Sequence, residues 1–245
     1  MKKITILLAA FFGAAVISFG QTNYKMWEVT YIKPTTDNVD LLMENLAAHV
    51  KKFHTSGPHK VSVWSNLTGS HVADLAWVTG PFTFTDLDTP RADEKAHEDD
   101  WNKNIEPYVD VTASEYWKLD DKHSYVPENF KYSGKVIWSV YDLQPFEGYR
   151  FKELCSKIIE VYKAKNYTHT FELYWNQFES KDGRDAVIET NFTKWAFLDE
   201  DDQFVKDYEE VHGEGSYRLA IEEYRDIVIG VEDELSEMIP ELSAE

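Results

Sequence analysis

Residues 25–53 read KMWEVTYIKPTTDNVDLLMENLAAHVKKF, and this stretch decides the fold. Alternation places Trp27, Val29 and Tyr31 on one face of Lys25 to Lys33, the period of a half-buried strand. After Pro34, Val39, Leu42, Leu46 and Val50 recur at 3-4-4 spacing, the apolar stripe of a helix over about Asn38 to Phe53. The same reading then returns. Tyr141-Asp142-Leu143-Gln144-Pro145 matches Tyr31-Ile32-Lys33-Pro34 at an offset of 110, and Phe151, Leu154, Ile158 and Tyr162 repeat the helix stripe at 112. Trp175 follows Trp64 at 111, and Trp195, Phe197 and Asp199 follow Phe82, Phe84 and Asp86 at 113. Ile239-Pro240-Glu241 follows Val126-Pro127-Glu128, again at 113. Matches in this order imply one unit present twice, over residues 25–134 and 135–245.

Within each unit the reading continues alike. Ser56-Gly57-Pro58 breaks the helix, and Lys60 to Asn66 and Val72 to Val78 form a hairpin around Thr68-Gly69-Ser70. The remainder to Val126 reads as mainly helical. The second unit begins at Lys135 and turns its hairpin at Lys181-Asp182-Gly183. The order β-α-β-β-α predicts an α+β fold of two tandem units, antiparallel sheets with helices on their outer faces and the bare faces buried together. Tyr217, Ile221, Tyr224, Val228, Val231, Leu235 and Met238 recur at 4-3 spacing and predict one long final helix. Residues 199–245 carry 17 acidic and 3 basic side chains, so the back of that helix is acidic and offers a docking face.

The Tyr31-Ile32-Lys33-Pro34 strand end, the amphipathic helix after it, and the hairpin followed by Phe82 and Phe84 resemble the dimeric α/β-barrel superfamily of ferredoxin-like domains. The resemblance implies an α/β-barrel-like arrangement of the two units. The superfamily contains cofactor-free monooxygenases, haem enzymes, stress-responsive proteins and members without assigned activity. Its usual fourth strand falls where this chain reads as the final helix, so an incomplete or differently closed barrel is expected.

Lys2 and Lys3, the apolar run Ile4 to Phe19, and small residues at Ser18 and Gly20 predict a signal peptide over residues 1–20, cleaved after Gly20. The mature chain is then expected in the periplasm or secreted, with no membrane span. Loss of Lys2 and Lys3 takes the formal charge from −19 to −21, a balance that repels phosphate and excludes nucleic acid as a partner. Cys155 is the one cysteine and can form no disulfide within the chain; inside a helix it reads as a packed thiol.

Candidate chemistry lies where the units differ. At offset 111, Val61, Val63 and Ser65 correspond to Glu172, Tyr174 and Asn176; at 113, Asp74, Ala76 and Val78 correspond to Val187, Glu189 and Asn191. Trp64, Trp175, Leu75 and Ile188 are read as the helix-packed side. Alternation thus aims Glu172, Tyr174, Asn176, Glu189 and Asn191 inward, with Tyr141 and Ser139 beside them. Glu172, Glu189 and Tyr174 are the catalytic candidates, because two carboxyls in a dry cavity titrate apart and serve as acid and base. Asn176, Asn191 and Tyr141 complete a ligand-binding set. His49, His54 and His59 recur at five, which is not one helix face, and Gly57-Pro58 separates the last two. No metal site is expected, and no haem ligand at His97 or His212; no cofactor is assigned. The reading is therefore an exported protein that binds a small molecule or an envelope protein partner and is not an efficient enzyme. A cofactor-independent oxygenase or isomerase using the polar face of the second unit is one alternative. An accessory subunit docking through the acidic C-terminal helix is the other.

Overall fold

The computed structural model describes residues 24–178, 181, 183–200 and 203–244. The proposed leader, residues 1–20, and Asp182 of the second hairpin turn lie outside the described residues. The chain runs β1 (Met26–Pro34), α1 (Val39–Phe53), β2 (Val61–Asn66), β3 (Leu75–Phe82), α2 (Glu94–Asn104) and β4 (Val109–Leu119). It continues β5 (Lys135–Leu143), α3 (Gly148–Lys165), β6 (Glu172–Asn176), β7 (Ala186–Asn191), α4 (Phe204–His212), α5 (Ser216–Ile227) and β8 (Val228–Met238). α1 starts where the Asn38 side chain accepts from the Leu41 amide, and it buries Leu42, Leu46 and Val50 as its spacing required.

All eight strands close one antiparallel barrel in the order β1-β3-β2-β8-β5-β7-β6-β4. The expected incomplete closure is thereby corrected, as is the expectation of one helix over Tyr217 to Met238. Residues beyond Ile227 are a strand. Val228, Ile229 and Val231 are β-branched and flank Gly230, a poor composition for a helix interior. Its backbone is satisfied by nine register pairs with β5. β4, read from sequence as helical, forms nine such pairs with β1. These two strands make the closure. β8 joins β2 through Trp64↔Met238, Ser65↔Glu237 and Asn66↔Ser236, and β4 joins β6 through Trp117↔Asn176, Lys118↔Trp175 and Leu119↔Tyr174. No continuous acidic helix remains for the docking reading, since half of that segment is built into the wall.

Three apolar layers result. One packs α1 on β2 and β3 through Leu42, Leu46, Val50, Val61, Val63 and Trp77. A second packs α3 and α5 on β5 to β7 and encloses Cys155, whose thiol burial pushes above its usual range, as a packed residue rather than a nucleophile. The third fills the barrel with Val29, Tyr31, Ala76, Trp117, Val140, Tyr174 and Val187. Among the described residues no helix is long and apolar enough to cross a membrane.

Candidate active site

Inward-facing side chains of the eight strands leave a cavity of about 320 Å³ in the barrel. Its wall is aromatic and apolar: Trp27, Val29, Trp64, Ala76, Val78, Trp117, Leu119, Trp138 and Tyr174. Lys25 and Tyr132, both exposed, stand where the cavity meets solvent beside Glu172.

Glu172 and Glu189 are direct cross-strand partners on β6 and β7. Both side chains reach the cavity, Glu172 buried and Glu189 deep in the barrel with part of its surface on the void. A neutral amide lies between them: Asn191 Nδ2 donates to Glu189 Oε1 at 2.7 Å and to Glu172 Oε2 at 3.3 Å. Tyr132 donates its hydroxyl to Glu172 Oε2 at 3.2 Å, and Trp138 donates to Glu189. Two like charges cannot both be retained at such separation in a dry site. Burial first, then the charge of Glu172, pushes Glu189 up to about 8. Burial likewise raises Glu172, against hydrogen bonds from Tyr132, Thr170 and Asn191. At neutral pH the pair therefore holds one proton between two carboxyls. Burial and the two glutamates raise the Tyr174 phenol, which stays protonated.

At the far end of the cavity stands a second carboxyl pair with a cation in it. Buried Arg184 donates through Nε to Glu115 Oε1 at 2.6 Å, through Nη1 to Glu234 Oε1 at 2.8 Å, and through Nη2 to the Tyr31 hydroxyl at 2.9 Å. Trp117 adds a bond to Glu115 Oε2 at 3.1 Å. β5 joins the two groups, with Trp138 flanked by Glu189 of β7 on one side and Glu234 of β8 on the other.

Of the residues singled out by sequence, Glu172, Tyr174 and Glu189 line the cavity and Asn191 bonds both glutamates. Asn176 is not part of this group. It ties the β6–β7 turn at the other end, donating to the Arg184 carbonyl at 2.9 Å. Tyr141 and Ser139 are corrections: they face away from the cavity, Tyr141 packing on Phe151 and Tyr224 under the helices, while Val136, Trp138 and Val140 face inward. Val61 and Val63 also lie under α1, and Ser62, Trp64 and Asn66 take the interior. The cause is a one-residue slip, which exchanges the faces of a strand. The ladders place Val29 opposite Glu115 and Trp138 opposite Glu234, so β5 follows β1 at 109, not 110. Trp64↔Ala76 and Tyr174↔Val187 set β6 on β2 at 110, not 111. Trp64 is thus interior, whereas Trp175 packs on Phe151. Sequence reading missed Tyr132, which sits in a loop, and Glu115 and Arg184, which no periodicity marks. Of the four tryptophans on the wall, Trp27 was placed on its strand face and Trp64 was read as helix-packed, which the structure corrects, while Trp117 and Trp138 were not singled out.

The expectation that the histidines stay apart is also corrected. His49 and His54 meet across the end of α1, and His97 joins them from α2. His54 Nε2 lies 3.3 Å from His49 Nε2 and 3.1 Å from His97 Nε2. Spacing of five around the helix end is no obstacle once the chain turns at His54 and a second helix packs there. His59 contributes its carbonyl, not its ring. Burial lowers all three rings, His54 to about 3 and His97 to about 4.

No known protein family matches the chain, and no curated protein matches it in sequence. Solved structures do share the fold. Chlorite dismutase from Candidatus Nitrospira defluvii, in complex with imidazole, superposes with a TM-score of 0.56 at 11% identity, over 89% of this chain and 92% of that one. A candidate chlorite dismutase gives 0.51 at 9%, over 89% and 96%. A candidate monooxygenase from Fusobacterium nucleatum subsp. nucleatum gives 0.51 at 11%, over 88% and 92%. The fold is that of the dimeric α+β barrels, and its solved representatives here are named for enzymes. That overturns the expectation of a ligand- or partner-binding protein that is not an efficient enzyme. Haem, which the superfamily resemblance allows, finds no histidine ligand among the described residues that line the barrel cavity or the slot of about 150 Å³ between β5, β7 and α3–α5. His212 is bonded to the Lys157 carbonyl, and His97 is turned to His54.

Proposed function

We propose that this protein is a cofactor-independent enzyme that removes a proton from carbon in a flat, apolar substrate, as the opening step of oxygenation. One observation carries the reading: Glu172 and Glu189 stand as cross-strand partners at the polar end of a tryptophan-lined cavity, with an uncharged amide between them. A carboxylate in a dry site is a far stronger base than in water, and its protonated neighbour hydrogen-bonds the oxygen on which charge develops. In the proposed reaction the bare carboxylate takes one hydrogen of an activated CH2. The resulting carbanion, delocalised into the rings, gives up electrons to O2 and binds it. Loss of water then leaves a ketone, so that CH2 and O2 become C=O and H2O. Trp27, Trp64, Trp117 and Trp138 hold the rings and keep bulk water off the carbanion. The monooxygenase name borne by one structure of this fold agrees with that choice over simple isomerisation.

The proposal extends to architecture. Residues 25–134 and 135–245 are tandem copies of one unit, supported by matching strand orders and by Glu115 and Glu234, which fall at one position of β4 and β8. The leader reading of residues 1–20 makes it an exported enzyme.

The test is oxygen uptake with a panel of fused-ring aromatic carbon acids, by the parent and by Glu172→Gln and Glu189→Gln. Loss of a general base lowers turnover by about 10²–10⁴-fold. Oxygen uptake unchanged in both variants would sink the reading.

A further inference from the structure

Beyond the barrel cavity, a second group of side chains converges on one point. His49 and His54 lie at the C-terminal end of α1 and His97 on α2, against Trp77 of β3, and one ring nitrogen of each lies within 4.8 Å of the others. The remaining nitrogens of two rings are already committed. His54 Nδ1 sits 2.7 Å from the His59 carbonyl, which can only accept, so Nδ1 carries the hydrogen and Nε2 of the neutral ring is a bare lone pair. His49 Nδ1 sits 2.8 Å from Asp100 Oδ2, and the same logic bares its Nε2. Two lone pairs then face each other at 3.3 Å, with His97 Nε2 at 3.1 Å from the first. A hydrogen on His97 Nε2 can serve only as a donor into this pair, and a cation between the rings satisfies all three lone pairs at once.

We propose that His49, His54 and His97 bind one divalent late first-row transition metal ion, with Zn²⁺ as its natural probe. Three ligands in tetrahedral geometry at about 2.0–2.1 Å from zinc stand about 3.3 Å apart, the spacing two of these contacts have. A carboxylate on one ligating histidine and a backbone carbonyl on another are the supports that fix ring orientation in metal sites. Phe53, Trp77 and Trp101 pack on the rings, at centroid distances of 4.9 Å from His49, 5.2 Å from His54 and 5.5 Å from His49 respectively, and hold them in place. An all-imidazole set favours zinc, cobalt, nickel or copper over calcium or magnesium. His54 and His97 line a surface depression of about 370 Å³, through which a metal ion and a fourth ligand can reach the rings. Three protein ligands with one open position is the arrangement of a catalytic rather than a purely structural metal.

The experiment uses the full chain, stripped with a chelator and dialysed, then titrated with Zn²⁺ by calorimetry and with Co²⁺ by visible absorption. One zinc per chain and the intense d–d bands of tetrahedral cobalt are expected. His97→Ala, a change on a half-buried helix position, should keep the circular dichroism of the parent and lose both signals. Asp100→Asn should keep the stoichiometry and weaken affinity by about 10–100-fold, as removal of a supporting hydrogen bond does. Substoichiometric zinc in the parent, or zinc bound equally by folded His97→Ala, overturns the site. Glu172→Gln should bind zinc as the parent does, so failure of this inference and failure of the proposed proton abstraction are read separately.

Discussion

Two carboxyl pairs face each other along the barrel, and what stands between each pair separates their roles. Glu115 and Glu234 come from corresponding positions of β4 and β8, one from each half, and Arg184 bridges them. Glu172 and Glu189 both come from the second half, and the amide of Asn191 bridges them. Their counterparts in the first half are Ser62 and Val78, so this pair breaks the likeness of the halves where the other preserves it. A guanidinium supplies charge and a planar fork, and it turns two buried carboxylates into a brace. An amide supplies hydrogen bonds without charge, and one carboxyl must keep its proton. The first arrangement closes one end of the cavity; the second makes the other end reactive.

The largest effect should come from breaking the brace. Arg184→Met strands Glu115 and Glu234 in the interior and is expected to cost about 3–5 kcal/mol, read by urea denaturation. A cost below about 1 kcal/mol would mean that water reaches these carboxyls and that the two ends do not differ as described. The opposite sign is expected at the other pair. Exchange to the first half's residues, Glu172→Ser with Glu189→Val, should leave stability unchanged or raise it while oxygen uptake disappears.

The pH dependence sharpens the contrast. Glu189 has its folded value raised to about 8, from an unfolded carboxyl near 4.3. Between those values the folded chain holds more protons than the unfolded one, so this group's contribution falls as pH rises through the window. At about 1.4 kcal/mol per unit the upper bound is a few kcal/mol, and Glu189→Gln should be flatter in pH and more stable than the parent at pH 9. A parent whose denaturation midpoint is level from pH 5 to 9 would count against the shared proton. The smallest effect belongs to Tyr132→Phe. Its hydroxyl favours the charged form of Glu172; its loss, worth about 1 kcal/mol, should move the acid limb of the activity profile upward by less than about one unit.

Much of this was legible in residues alone. Val39, Leu42, Leu46 and Val50 fixed α1, and alternation put Trp27, Val29 and Tyr31 on one face, which the structure turns inward. Glu172, Tyr174, Glu189 and Asn191 were separable because parity is preserved within a strand. Comparison between strands failed where a single residue of offset was in error, and there Tyr141, Val61 and Val63 changed faces. β4 and β8 were hidden for a different reason. β4 does alternate, through Val109, Val111, Ala113, Trp117 and Leu119, but Glu115 interrupts the row; in β8 Glu232-Asp233-Glu234 breaks the alternation, and Val228, Val231, Leu235 and Met238 mimic a helix stripe.

The sequence by itself determined most of the local elements and which side chains of one strand share a face. Those follow from periodicity, which neighbouring residues encode. Only the tertiary structure decided that the barrel closes, that Arg184 comes to rest between Glu115 and Glu234 from far along the chain, and that His97 meets His49 and His54. Such meetings depend on strand register and helix packing, where one residue of shift exchanges inside for outside, and no local pattern carries that information.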